Sequence, residues 1–249
     1  MFDQIRQEML KDAFFPYLTR TTHEDTRLTR HVIECLSKLD SSRLTLPILK
    51  LDGMTGTLTR HFYNNLCSLE TPGRKTEYLE VGTWKGSSLV SAMYMNGDTT
   101  HATVIDNWSE FNTSFELDPV TKLPHDIDPR GDFLKNMETF DIKGVDVIEA
   151  DFFTVPLKAP IDIYLYDGAH AYEDQYKAIT YAWDALADDA IIMIDDWSMT
   201  DVKRGTMDAL RDVNAHIIQT SEVTYPEGME SVTSGFWNGI GIFVIKKRQ

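Results

Sequence analysis

From Thr76 to Asp195 the chain alternates short apolar runs with turns and helical patterns, the runs lying at Glu77 to Val81, Ala102 to Asp106, Val145 to Ala150, Ile161 to Asp167 and Ala190 to Asp195. Strand, turn and helix repeated in that order predict a parallel sheet, because successive strands reach the same sheet direction only through a crossover. One such crossover is predicted from Tyr172 to Leu186, where Tyr172, Tyr176, Ile179, Trp183 and Leu186 share a helix face. A last pair, Ala215 to Gln219 and Gly239 to Ile245, predicts an antiparallel edge hairpin with a long loop. Ahead of the alternation, residues Thr22 to Leu39 and Thr57 to Leu69 have helical spacing, with Leu58, Phe62, Leu66 and Leu69 recurring at three- or four-residue steps. With 249 residues, 42% of them hydrophobic, one α/β core is expected and two would be a tight fit. The predicted organisation is a helical extension over residues 1–75 followed by an α/β domain over 76–249.

Asn107 to Gly144 is far longer than a usual βα connection, and Asp118-Pro119, Leu123-Pro124, Asp128-Pro129 and Gly131 interrupt helix in its first half. The segment is expected to be a substrate-binding insertion, either an ordered loop or a lid.

Thirty-nine acids against 24 bases give a net charge of −15, which repels phosphate backbones and anionic bilayers. Nucleic acid and membrane are therefore not expected as partners. Cys35 and Cys67 have no metal-ligand spacing and read as reduced thiols, which fits the cytoplasm. The start, Met1-Phe2-Asp3-Gln4, has no basic region followed by an apolar one, so neither an export signal nor a membrane span is expected.

The first strand runs into Glu80-Val81-Gly82-Thr83-Trp84-Lys85-Gly86-Ser87-Ser88. A strand that stops at glycine and restarts as a helix presents free N–H groups to a ligand. Trp84 stands where the dinucleotide fingerprint has its middle glycine, so a pyrophosphate could not approach closely. A cofactor with an amino acid end needs less room, and the Ser87 and Ser88 hydroxyls are candidates to bond its carboxylate. Asp106 ends the second strand, where an acid can accept both ribose hydroxyls; Asp151-Phe152 follows the third and offers an acceptor and an apolar face to adenine. Each of these has a structural alternative: Asp106 and Asp151 as helix caps, Phe152 as core.

The turn resembles motif I of the class I S-adenosylmethionine-dependent methyltransferases, and is most similar to that of the metal-dependent macrolide-sugar and catechol-type O-methyltransferases, which carry a bulky residue at the middle glycine. The resemblance covers about Thr76 to Ile245. It implies a Rossmann-like α/β fold with a seven-stranded, mostly parallel sheet, order 3-2-1-4-5-7-6, the last strand antiparallel and helices on both faces. It also implies that Glu80, Gly82 and Ser88, with Thr83, Trp84, Gly86 and Ser87 of the same turn, meet the methionine end of S-adenosylmethionine, Asp106 its ribose, and Asp151 with Phe152 its adenine. Met54, in Asp52-Gly53-Met54-Thr55-Gly56, corresponds to the residue from the helical extension that covers the sulfonium in catechol-type enzymes; the alternative is a buried methionine in a tight turn.

Asp167 ends the fourth strand, and Asp195-Asp196 end the fifth, so three carboxylates are expected to converge beside the turn at the ligand-binding edge. Like charges at one point raise each other's pKa unless a cation neutralises them, and an all-oxygen set suits Mg²⁺, with Ca²⁺ or Mn²⁺ as alternatives. The arrangement is similar to the metal site of macrolide-sugar O-methyltransferases; catechol-type enzymes have Asp-Asn where this chain has Asp195-Asp196. His170 lies where catechol-type enzymes carry a lysine base, and its reference pKa of about 6.5 makes it a candidate proton acceptor or, alternatively, a partner of a metal ligand. Trp108, Phe111, Phe115, His125, Tyr225, Phe236 and Trp237 are candidates to line an acceptor pocket.

The sequence therefore predicts a Mg²⁺-dependent O-methyltransferase of a small hydroxyl acceptor such as a sugar or polyol. The alternatives are an NAD-dependent oxidoreductase and a non-catalytic module of the same fold. A homo-oligomer is implied only by the resemblance, since such enzymes are often dimers or larger.

Overall fold

The computed structural model describes residues 17–117, 124–225 and 235–247. The strands are β1 (Tyr17–Thr22), β2 (Thr76–Val81), β3 (Thr100–Asp106), β4 (Thr113–Leu117), β5 (Pro124–Asp126), β6 (Val145–Glu149), β7 (Ile161–Tyr166), β8 (Leu186–Asp195), β9 (His216–Thr224) and β10 (Ile240–Lys246). The helices are α1 (Arg27–Ser37), α2 (Leu46–Leu49), α3 (Thr57–Leu66), α4 (Ser87–Met93), α5 (Pro129–Thr139), α6 (Tyr172–Ala182) and α7 (Thr200–Asp212).

Eight strands form one sheet in the order β1-β9-β10-β8-β7-β2-β3-β6. From β6 to β8 all neighbours are parallel, and β10 runs antiparallel to both β8 and β9. The seven-strand order expected from the resemblance is therefore present. The eighth strand was not expected: β1 pairs antiparallel with β9 from Tyr17 to Thr22 and extends the sheet at that edge.

Both sheet faces are covered, which explains why its inner strands read as continuous apolar runs rather than alternating ones. Successive residues still point to opposite sides. Ile163, Leu165, Ile191 and Met193 join one core with Leu28, Val32, Phe62 and Leu66 of α1 and α3. Tyr164, Tyr166, Ile192 and Ile194 join the other with Ile179 and Ala182 of α6 and Val202 and Leu210 of α7. The N-terminal helices thus share a core with the sheet; each fully buried Leu or Phe there contributes about 1.5–3 kcal/mol.

Local chemistry shifts several boundaries. The helix expected from Thr22 starts at Arg27, because Thr26 and Thr29 form a capping box in which the Thr29 N–H donates to Thr26 Oγ1 at 3.2 Å and the Thr26 N–H to Thr29 Oγ1 at 2.8 Å. The helix expected to reach Leu186 stops at Ala182, and after a short 3₁₀ turn β8 begins at Leu186, where pairing with β7 and β10 overrides the helical period. Inside the insertion, β4 and β5 form a hairpin, and Asp128-Pro129 opens α5: Pro129 takes the first helical position and Asp128 Oδ1 accepts from the Gly131 N–H at 2.8 Å.

The strand-to-helix turn depends on Gly82. Its φ is 81°, and a Cβ there would lie 2.0 Å from the Asp167 carbonyl oxygen at the end of β7. Gly73 has a similar φ of 79° but open space around it. Gly73→Ala is expected to cost only the backbone term, about 1 kcal/mol, whereas Gly82→Ala adds displacement of β7 and is expected to cost at least about 2 kcal/mol in urea unfolding. Equal losses would show that the close approach of β2 and β7 carries no energetic weight.

Candidate active site

A cleft of about 620 Å³ opens at the carboxyl ends of β2, β3, β7 and β8. A larger concavity, about 1050 Å³, lies on the opposite edge among residues such as Arg27, Lys38 and Arg74, and contains none of the expected site residues. Of those, Met54, Gly82, Thr83, Trp84, Ser87, Ser88, Asp106, Asp151, Phe152, Asp167, His170, Asp195 and Asp196 line the smaller cleft.

Glu80 and Gly86 do not line it. Glu80 is fully buried, its carboxylate accepting from the Tyr78 hydroxyl at 2.6 Å and the Ser88 hydroxyl at 2.7 Å, and burial pushes its pKa up to about 7. It therefore acts behind the cleft, tying β2 to the start of α4. Ser88 donates to Glu80, and the Ser87 hydroxyl shares a 2.9 Å bond with Thr55, while both serines line the cleft. Gly86, left-handed at φ 79°, caps α4 without a side-chain bond and leaves the first-turn N–H groups uncapped.

Asp106 is a clasp for the main chain. One oxygen accepts the Thr83 and Trp84 N–H groups at 2.8 and 2.9 Å, and the other the Trp108 N–H at 2.7 Å. A carboxylate has about four lone-pair directions, so little capacity remains for two ribose hydroxyls. Trp84, at φ 47°, donates its indole N–H to the Phe111 carbonyl at 3.1 Å and accepts the Trp108 indole N–H on its own carbonyl at 2.8 Å. The bulky residue at the glycine position thus anchors the insertion to the turn. Thr83 Oγ1 is buried on this wall; it lies near enough to weigh on Glu80 but makes no hydrogen bond of normal geometry.

The loop carrying Met54 is pinned from three sides. Buried Arg60 donates to the carbonyls of Ile48, Leu51 and Thr55 at 2.7 to 2.9 Å, Lys85 pairs with Asp52 at 2.5 Å, and Gly53 packs directly on Ser87. At the other end, Asp151 caps the 3₁₀ turn that follows by accepting the Phe153 N–H at 2.9 Å, and Phe152 packs against Tyr164 and Tyr181 while keeping an edge on the cleft. The structural and ligand-facing roles of these two residues coexist.

Asp167, Asp195 and Asp196 converge as expected: each offers an oxygen within 4.8 Å of the others. Burial first, and then Asp196, pushes Asp167 up to about 8; burial and Asp167 push Asp195 up as well, the two sharing a hydrogen bond. Asp196, left-handed at φ 53°, accepts from Asn238 Nδ2 at 2.5 Å and faces His170 Nε2 at 2.7 Å. That contact outweighs burial and raises the His170 pKa. Converging carboxylates, two of them held towards the protonated form, with only oxygen donors, match the needs of a hard divalent cation. Asn238 was missed in the sequence; its signal was Asn238-Gly239, a turn with positive φ at both residues just before β10.

Of the acceptor-pocket candidates, Phe111 and Trp237 line the cleft. Trp108, Tyr225 and Phe236 belong to the core instead: Trp108 packs on Phe133, and the Phe236 N–H donates to the Tyr225 hydroxyl at 2.6 Å. The side chains of Phe115 and His125 lie outside the described residues.

Residues 79–197, from β2 to just past the carboxylate cluster, match the family model described as a methyltransferase domain. Those residues form a methyltransferase domain. Solved structures share its fold. The methyltransferase PaMTH1 of Podospora anserina, solved with S-adenosylhomocysteine, aligns over 100% of this chain and 95% of its own at 11% identity and a TM-score of 0.52. A SAM-dependent O-methyltransferase of Thermotoga maritima aligns over 88% and 72% at 11% identity and 0.52. TrmN of Thermus thermophilus aligns over 81% and 52% at 16% identity and 0.51. No curated protein matches the chain. The match supports a methyltransferase over the dinucleotide oxidoreductase that was the alternative expectation.

The raised carboxylates fix the sign of the pH dependence. Asp167 in the fold binds protons at pH values where an aspartate of ordinary pKa 3.8 has lost them. Its contribution to the stability of the metal-free methyltransferase therefore falls as pH rises from about 4 through about 8. His170, also raised, adds in the same direction. A cation that replaces the proton removes this loss, so the gain in melting temperature on adding Mg²⁺ is expected to be larger near pH 8 than near pH 6. An equal or smaller gain near pH 8 would contradict a metal site at this cluster.

Proposed function

We propose that this methyltransferase acts on a hydroxyl oxygen of a small polar acceptor, a sugar or polyol, with a divalent cation, Mg²⁺ foremost, held by Asp167, Asp195 and Asp196. The supporting observation is the convergence of three carboxylates, Asp196 buried and Asp167 and Asp195 half-buried, on the cleft that the motif I turn lines. A bound cation supplies positive charge beside an acceptor hydroxyl and lowers its affinity for the proton.

The remaining work falls to side chains. Asp196, fixed by Asn238, orients His170 through Nε2, which leaves Nδ1 of the neutral ring as the atom to accept a proton. Because the Asp196 contact raises the His170 pKa, the neutral ring dominates only above the ordinary value of 6.5. Met54 and the uncapped start of α4, which line one part of the cleft, would hold the methionine end of the donor, and Asp151 and Phe152 its adenine. Held together in this way, donor and acceptor gain mainly from proximity. The net charge of −15 supports the reading that neither nucleic acid nor membrane is a partner, and no described helix is long and apolar enough to cross a membrane. The cytoplasm is the proposed compartment, in keeping with two free, buried cysteines.

Titration calorimetry with S-adenosylhomocysteine in Mg²⁺ and in chelator, paired with its release during turnover of a sugar and polyol panel, tests the reading. Asp167→Asn is expected to keep S-adenosylhomocysteine binding and lose Mg²⁺-dependent turnover; undiminished turnover in chelator or in this variant would overturn the metal role. His170→Gln is expected to lower kcat by about 10²–10⁴-fold and to remove the rise in rate above pH 6.5 expected of the wild type. A wild-type pH profile retained in the variant would assign the proton to another group.

A further inference from the structure

Lys85 stands apart in the motif I turn. Thr83, Trp84, Ser87 and Ser88 around it line the cleft, whereas Lys85 is buried and does not. Its ammonium lies 2.5 Å from Asp52, 3.3 Å from Asp132 and 4.8 Å from the centre of the Trp84 ring. Burial opposes the charge, but the two carboxylates outweigh burial and raise the Lys85 pKa. One cation therefore joins the turn to two segments far from it in sequence.

Both segments supply lining residues to the cleft. Asp52 opens the loop that brings Met54 and Thr55 there, and Asp132 lies in the first turn of α5, within the insertion that brings Phe111 there. α5 meets the turn twice more: Asn136 Nδ2 donates to the Lys85 carbonyl at 2.9 Å, and a Cβ on Gly86 would lie 2.8 Å from the Phe133 ring. Arg60 braces the Met54 loop only against its own helix, α3, since all its bonds go to carbonyls between Ile48 and Thr55. The loop is tied to the turn instead by Ser87, which meets Gly53 and Thr55, and by Lys85 through Asp52. Stability does not account for the lysine. Burying an ammonium costs desolvation, and partners whose side chains are 78% and 47% exposed offset little of it. What the pairs fix is the position of two cleft segments relative to the turn.

We infer that Lys85 is a positioning residue for the methyl donor: through Asp52 it sets the Met54 loop, and through Asp132 the insertion, where the two must stand to enclose the donor. The inference rests on the donor placement proposed above. Lys85 touches no ligand in this account; it acts through groups that do, so its loss releases both segments from the turn while the sheet and its cores stay in place. A donor binding to the released form has to order them again, and that cost appears as weaker binding.

The test is calorimetric titration of the full chain with S-adenosylhomocysteine, well below the unfolding temperature of each variant. Lys85→Met, which keeps the length of the side chain and removes its charge, is expected to weaken binding about tenfold. Asp52→Asn and Asp132→Asn, exposed substitutions that leave folding intact, are each expected to account for part of that loss. Because all three act through one ammonium, adding either to Lys85→Met is expected to weaken binding no further. A second readout, which a merely structural pair would not move, is the ε-methyl resonance of Met54 in protein labelled with ¹³C-methyl methionine and assigned by Met54→Leu. Its shift on saturation with S-adenosylhomocysteine is expected in the wild type and is expected to differ in Asp52→Asn. Unchanged affinity in Asp52→Asn and Asp132→Asn, additive losses in the double variants, or an identical Met54 shift in wild type and Asp52→Asn would overturn the inference while leaving the donor site standing. A wild type that does not bind S-adenosylhomocysteine would overturn the donor placement, and the inference with it.

Discussion

Gly82 lies against the Asp167 carbonyl so closely that no side chain fits between them. That contact places the end of β2 beside the end of β7 and so brings the motif I turn and the first acid of the cluster to one edge of the sheet. The main-chain pairing repeats it: the Asp167 N–H donates to the Val81 carbonyl at 2.8 Å, and the Gly82 N–H to the Ile105 carbonyl at 3.0 Å. Three crossovers then meet within one bond network, closed by Asp106 accepting from the turn and from its own loop. The cleft follows from this junction more than from any single helix.

Electrostatics adds a second layer. The sheet delivers Asp167, Asp195 and Asp196 to one place, where burial and mutual repulsion oppose ionisation. A fold gains nothing in stability from crowding acids in this way. The arrangement makes sense as a site whose charge is balanced by what it binds, and Asn238 and His170 hold Asp196 ready for that.

Much of this was legible in the residues because sheet topology and carboxyl-end acids leave local marks. The strand runs, the glycine turn and the aspartates at strand ends were read in their places, since a parallel sheet puts every such end on one edge. What escaped depended on long-range pairing. β1 pairs with β9 across about two hundred residues, and no local period announces that. The bonds that Asp106, Ser87 and Ser88 make to neighbours depend on which groups the fold brings within reach. Trp108, Tyr225 and Phe236 show the same limit, as an aromatic side chain does not declare whether it faces a core or a cleft. Trp84 was read as an obstacle to dinucleotides, and its second role, holding the insertion through Phe111 and Trp108, appears only in three dimensions.

The claim on which the rest turns is that the three aspartates hold one divalent cation beside the methyl donor. Titrating Mn²⁺ into the protein loaded with S-adenosylhomocysteine, while following free Mn²⁺ by electron paramagnetic resonance, tests it without knowledge of the acceptor. The expected result is one tightly held ion per chain, displaced by Mg²⁺ and lost when Asp167 and Asp195 are both replaced by asparagine. A free Mn²⁺ signal that is never depleted, or depletion that survives in the double variant, would contradict it.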